Sequence, residues 1–174
     1  TELLGKYFIG GETHDSIGVR SRRLISDAVC DPVLDREAIP YKNLGCENNH
    51  DSVDYPDYGR KVVKAILSGE CEKGIVICGT GIGISITCNR YKGIRAALCS
   101  DCFSAEATRE HNDANILAMG GRVVGPGLAV KIVDTFLHTE FSGDERHKEE
   151  SAKLKIAREG TKEMSKVVVM EHPL

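Results

Sequence analysis

Gly74-Ile75-Val76-Ile77-Cys78-Gly79-Thr80-Gly81-Ile82-Gly83-Ile84-Ser85 opens as an uncharged, β-branched run and closes on three glycines spaced two apart. The run has the composition of a central parallel strand buried on both faces. The glycines let the chain turn with its N–H groups outward, a geometry that holds an anion or oxyanion. Small and apolar residues from Ile84 to Cys88 then enter a helix. The loop lacks the Gly-Lys-Ser/Thr of a nucleoside triphosphate loop, and the dinucleotide spacing G-x-G-x-x-G fails at Ile84. Both facts argue against an ordinary NTPase or dehydrogenase.

Outward from this stretch, strand and helix signals alternate. Upstream, Tyr7-Phe8-Ile9 reads as a strand ending at Gly10-Gly11, Ile17 to Val29 as a helix and Tyr41 to Gly45 as a weak strand. Pro56 suits a first helical turn, and the stripe Val62, Val63, Ile66, Leu67 runs on to Gly69. Downstream, Gly93 to Cys99 and Asn115 to Met119 read as strands. Phe103 to His111 reads as a helix, and so does the stripe Leu128, Ile132, Val133, Phe136, Leu137 begun by Pro126. This order predicts a parallel sheet with helices on both faces and a ligand site beyond the carboxyl ends of the strands. Residues 1–150 are read as one α/β domain. Residues 151–174 are read as a C-terminal extension, helical and in contact with the domain or a partner subunit.

The 174 residues include 41% hydrophobic and 28% charged side chains, enough apolar material for one core and too little charge for a disordered chain. A net charge of −3 and 5% aromatic content disfavour a general nucleic-acid binder. No apolar run approaches a membrane span, and the first residues lack a signal-peptide pattern. A cytoplasmic protein is expected, with no membrane partner. The seven cysteines lack framework spacing and are expected to stay thiols.

Cys78, at a strand end just before a helix N-terminus, is placed to act as a base or nucleophile; the plainer reading is a buried apolar cysteine. A second cluster, Arg109-Glu110-His111-Asn112-Asp113-Ala114-Asn115, falls at a helix-to-strand junction, where His111 is a candidate proton shuttle. His14, Arg122 and Arg146 are candidate phosphate cations, although each arginine alone reads as a solvated charge. Cys99-Ser100-Asp101-Cys102 has the spacing of a redox or metal pair but no second Cys/His pair at zinc-like spacing, and no metal site is expected. Cys46, His50 and Cys71 have no diagnostic spacing.

Five ordered motifs then align with one family. They are Val53-Asp54-Tyr55-Pro56-Asp57-Tyr58, Gly74 to Gly83, Gly93-Ile94-Arg95-Ala96-Ala97, His111-Asn112-Asp113-Ala114-Asn115 and Arg122-Val123-Val124-Gly125. Together they closely resemble type B ribose-5-phosphate isomerases of the ribose/galactose isomerase family, from about Val53 to His147. The resemblance implies a Rossmann-like three-layer sandwich with a mostly parallel five-stranded sheet. It also implies a homodimer whose active sites are shared between subunits, with a tetramer as the larger alternative. The activity implied is interconversion of D-ribose 5-phosphate and D-ribulose 5-phosphate through an enediolate, a step of the non-oxidative pentose phosphate pathway, without metal or organic cofactor. Residue by residue, Cys78 matches the base between C2 and C1, and Thr80 lies beside the substrate oxygens. The amides of Gly79, Gly81 and Gly83 face the enediolate. His111 matches the ring-opening acid/base with Asn112 beside it, Tyr55 lines the pocket, and Arg122 and Arg146 match phosphate ligands.

The sequence departs from the family pattern twice. The first loop, usually Gly-x-Asp-His-x-Gly, reads Gly10-Gly11-Glu12-Thr13-His14-Asp15-Ser16, so His14 aligns while the acidic partner shifts to Asp15 or Glu12. Arg146-His147 is followed by Lys148-Glu149-Glu150 where a second phosphate arginine is usual, leaving Lys148 or Lys153 as substitutes. Two rival readings accompany the pentose phosphate isomerase. One is an isomerase of a six-carbon sugar phosphate such as allose or galactose 6-phosphate. The other is a catalytically silent sugar-phosphate-binding module.

Overall fold

The computed structural model describes residues 7–10, 30–35, 37–45 and 54–154. Among these, the β-branched runs pair into one sheet of five strands: β1 (Tyr7–Gly10), β2 (Tyr41–Asn43), β3 (Lys73–Cys78), β4 (Ala96–Leu98) and β5 (Ile116–Gly120). Their order is β2-β1-β3-β5-β4, and every pair is parallel. All residues of β3 and β5 are buried, as central strands covered on both faces require.

Residues pointing alternately to the two faces split the core in two. Ile75, Ile77, Leu117 and Met119 face one cluster, which Ala129, Ile132, Val133 and Phe136 complete. Val76, Cys78, Ile116 and Ala118 face the other, with Val62, Val63, Ile84 and Cys88. Helices α1 (Tyr55–Leu67) and α2 (Ile82–Cys88) therefore cover one face, and α3 (Cys102–Glu110) and α4 (Pro126–His138) the opposite one. Pro56 and Pro126 start α1 and α4 in their first turns, where a missing N–H costs nothing. A short π-helical turn, Cys30–Asp35, adds Val33 and Leu34 to the α3/α4 side. The last described helix, α5 (Glu145–Lys153), buries no residue and passes through position 150.

Two elements differ from the sequence reading at their ends. β4 is shorter than Gly93–Cys99, because Gly93 sits at φ +90° and Ile94 N–H closes a turn onto Tyr91 O before pairing begins. α3 starts one residue early, because the Asp101 carboxylate caps it by accepting from Ser104 N–H at 2.7 Å and Ser104 O–H at 2.8 Å. The expected helix from Ile17 to Val29 and the segment after residue 154 lie outside the described residues.

The connections define the functional edge. The helix after β3 goes to the α1/α2 face, while β5, beside it, leads to α4 on the other face. Such a divergence opens a crevice at the carboxyl ends of the strands. Cys78 and Gly120 pair at that edge, and Gly74 and Ile116 pair at the opposite one.

Candidate active site

β3 delivers Cys78 to the carboxyl edge of the sheet, 4% exposed. The loop after it turns back so that Gly81 N–H donates to Cys78 Sγ at 3.2 Å and Ile82 N–H to Thr80 Oγ1 at 3.3 Å. An N–H aimed at sulfur is the contact that a thiolate uses. The turn requires glycine at 81: its φ is +78°, and a Cβ there would run into Leu98 Cδ1 and stand 2.7 Å from the Met119 carbonyl carbon. At Gly83 a Cβ would meet the Tyr55 hydroxyl at 2.6 Å, so the Tyr55 ring lies directly on the loop. On the other side the Arg122 guanidinium covers Gly79, 3.8 Å from the position of a Cβ there, and Arg122 N–H donates to Gly79 O at 3.0 Å. Cys78, Thr80, Gly79, Gly81, Gly83, Tyr55 and Arg122 thus form one constellation at the switch of the sheet.

Gly81→Ala is expected to break this loop. Positive φ costs a residue with a Cβ about 1–2 kcal/mol, before the clash with β5 backbone is counted. Thermal unfolding should move down by on the order of 5 °C or more. An unchanged midpoint and unchanged turnover would mean that the loop takes another shape.

His111 and its neighbours stand elsewhere. In a parallel α/β sheet, a helix ends where the next strand begins, so the helix-to-strand junction at His111 lies at the amino edge. Gly74 N–H donates to Asn115 O there at 2.8 Å. Four residues of strand, about 13 Å at 3.3 Å per residue, separate that edge from Cys78. His111 follows α3 with its side chain half exposed, its ring centroid 4.4 Å from that of His147. His147 Nδ1 and Ser142 Oγ are 2.7 Å apart, and Ser151 O–H reaches His111 O at 3.5 Å. Arg146, on α5, holds Glu150 Oε1 through Nε at 3.0 Å at the surface. That hydrogen bond from Arg146 keeps the Glu150 carboxyl below its ordinary range. His111, Asn112 and Arg146 therefore share one edge of the chain and the Cys78 constellation the other. His14 and Asp15 lie outside the described residues.

The second cluster is also more extensively braced than its sequence suggests. Arg95 and Arg109 both bind Asp113, and the Asn115 side chain receives Arg95 N–H at 2.9 Å and donates to Gly93 O at 2.8 Å. His147, Arg95 and Arg109 had no role in the sequence reading. The available signal was the i,i+4 spacing of Arg109 and Asp113 on one helix face. Two further cysteines, Cys88 and Cys99, are packed in the core. Burial pushes the Cys88 thiol up to about 12 and the Cys99 thiol to about 11, with Asp101 adding to the latter. Cys99 is thus a packed thiol of the core rather than one half of a reactive pair with Cys102.

A family model described as Ribose/Galactose Isomerase matches residues 13–154. YwlF of Bacillus subtilis is 51% identical over 140 residues, 80% of this chain and 90% of YwlF. Ribose-5-phosphate isomerase B of Escherichia coli is 51% identical over 96 residues, 55% of this chain and 64% of the relative. The solved structure of ribose-5-phosphate isomerase B from Clostridium thermocellum superposes with a TM-score of 0.74 at 48% identity, covering 86% of this chain and 95% of that one. With five sequence motifs, the sheet order and these matches in agreement, the chain belongs to the ribose/galactose isomerase family.

Proposed function

We propose that the chain is an aldose–ketose isomerase that interconverts D-ribose 5-phosphate and D-ribulose 5-phosphate, the exchange used in the non-oxidative pentose phosphate pathway. The observation that carries the chemistry is the Gly81 N–H on Cys78 Sγ at the end of a buried strand. In the proposed step the Cys78 thiolate takes the C2 proton of the open-chain aldose, leaving an enediolate. Thr80 and the loop amides meet the oxygen on which negative charge develops. The thiol returns the proton to C1 while a second proton passes from O2 to O1. Nothing is oxidised or reduced overall, so no co-reactant is required. His111 opens the furanose ring beforehand as acid and base, with Asn112 beside it.

Arg122 and Arg146 anchor the phosphate. The Arg146–Glu150 pair is exposed and screened by solvent, so a doubly charged phosphate displaces Glu150 readily. The binding energy of the phosphate, remote from C1 and C2, is then available to the reacting carbons. Placing Cys78 and His111 in one site calls for a second copy of the chain, because they occupy opposite edges of the sheet. We take the working unit as a cytoplasmic homodimer with shared sites, a tetramer being two such units. His14 and Asp15 would line the same pocket. Two helical layers on opposite faces of the sheet support a Rossmann-like three-layer sandwich. We read residues 1–150 as its domain and 151–174 as an extension that begins within α5.

The test is turnover of ribose 5-phosphate by the purified protein, with allose 6-phosphate alongside. Conversion of the pentose to ribulose 5-phosphate is expected. Turnover of the hexose alone would replace the substrate, and binding without turnover of either would leave a silent sugar-phosphate module.

A further inference from the structure

Asp113 occupies φ +48°, in the left-handed region where a residue with a Cβ is strained. Its carboxylate is divided between two guanidinium groups, with Oδ1 2.9 Å from Arg109 Nη1 and Oδ2 2.7 Å from Arg95 Nη2. The Arg109 side chain is 6% exposed, and it is fixed independently by donating to Ala114 O at 2.6 Å and Thr139 O at 3.2 Å. Arg95 Nε donates to Asp113 O at 2.7 Å and to Asn112 O at 3.1 Å. Three consecutive carbonyls after His111, those of residues 112, 113 and 114, are therefore held by two arginines that Asp113 ties together.

Closing the turn does not need this carboxylate. Asp113 N–H already bonds Arg109 O, and Ala114 N–H bonds Thr108 O. Glycine or asparagine would tolerate the positive φ at least as well. What the charged side chain adds is a fixed link between a buried arginine of α3 and an arginine at the entry to β4, within the turn that follows His111. Side chains that transfer protons lose rate steeply when displaced by about 1 Å.

We propose that Asp113 is a positioning residue, whose carboxylate bridges Arg95 and Arg109 to hold His111 and Asn112 in register for the ring-opening step. The proposal rests on the reading of His111 given above. It acts through His111, so its effect vanishes when His111 is gone.

A double-mutant cycle on the full chain tests it, with turnover of ribose 5-phosphate and thermal unfolding measured for each variant. Asp113→Asn preserves shape and positive φ while removing the charge. It is expected to lower kcat by about 10- to 100-fold with KM changed less than about threefold. In a His111→Ala background the same change should lower kcat by less than about threefold. Arg95→Gln, which cuts the bridge at its other end, should repeat the pattern and serves in place of Asp113→Asn if that variant does not fold. Unchanged kcat in Asp113→Asn, or equal losses in both backgrounds, overturns the proposal and leaves Asp113 a support of the fold. Unchanged kcat in His111→Ala overturns instead the ring-opening reading of His111.

Discussion

Cys78→Ala is expected to lower turnover of ribose 5-phosphate by about 10²- to 10⁴-fold, the range for loss of a positioned base, with sugar-phosphate binding retained. The substitution removes the sulfur that accepts from Gly81 N–H at 3.2 Å and leaves the glycine turn and the Arg122 cover over Gly79 in place. Cys88 and Cys99 cannot take over. Burial holds the Cys88 and Cys99 thiols at about 12 and about 11, so both remain protonated at neutral pH, and both are packed in the core. Binding is expected to persist because the proposed phosphate anchors, Arg122 and Arg146, are distinct from the reacting group. Turnover measured at saturating substrate, beside equilibrium binding of the same sugar phosphate, separates the two effects. An alanine variant that keeps more than a tenth of the wild-type rate would remove Cys78 as the base.

The elements around Cys78 were legible for a physical reason. A strand buried on both faces must be continuously apolar, so Gly74 to Cys78 announces itself, and a glycine turn before a helix marks its carboxyl end. The stripes on α1 and α4 were legible because each buries one face. The Asp113 bridge was not, because Arg95 and Asp113 stand 18 positions apart and meet only through the register of Ala96 on Ile116. Pairing across a sheet depends on register, which local periodicity does not encode.

The separation of Cys78 from His111 was implicit in the sequence and follows from topology alone. Cys78 ends a strand and enters a helix, whereas His111 ends a helix and precedes a strand; in a parallel α/β sheet these junctions lie at opposite edges. That geometry makes a mixed dimer the decisive experiment on the proposed shared site. Cys78→Ala and His111→Ala chains, carrying different tags and co-expressed, give a dimer with one chain of each kind after purification on both tags. If each site takes Cys78 from one subunit and the partner subunit's His111, one site of the pair holds both native residues and the other holds neither. Two-fold symmetry then predicts recovery to about half the wild-type rate per dimer, although each homodimer is nearly inactive. The gain, from near zero to about one half, arises without any new contact. A mixed dimer as inactive as its parents would mean that Cys78 and His111 do not act in a site assembled from two chains, and the assignment of His111 to ring opening would fall with it.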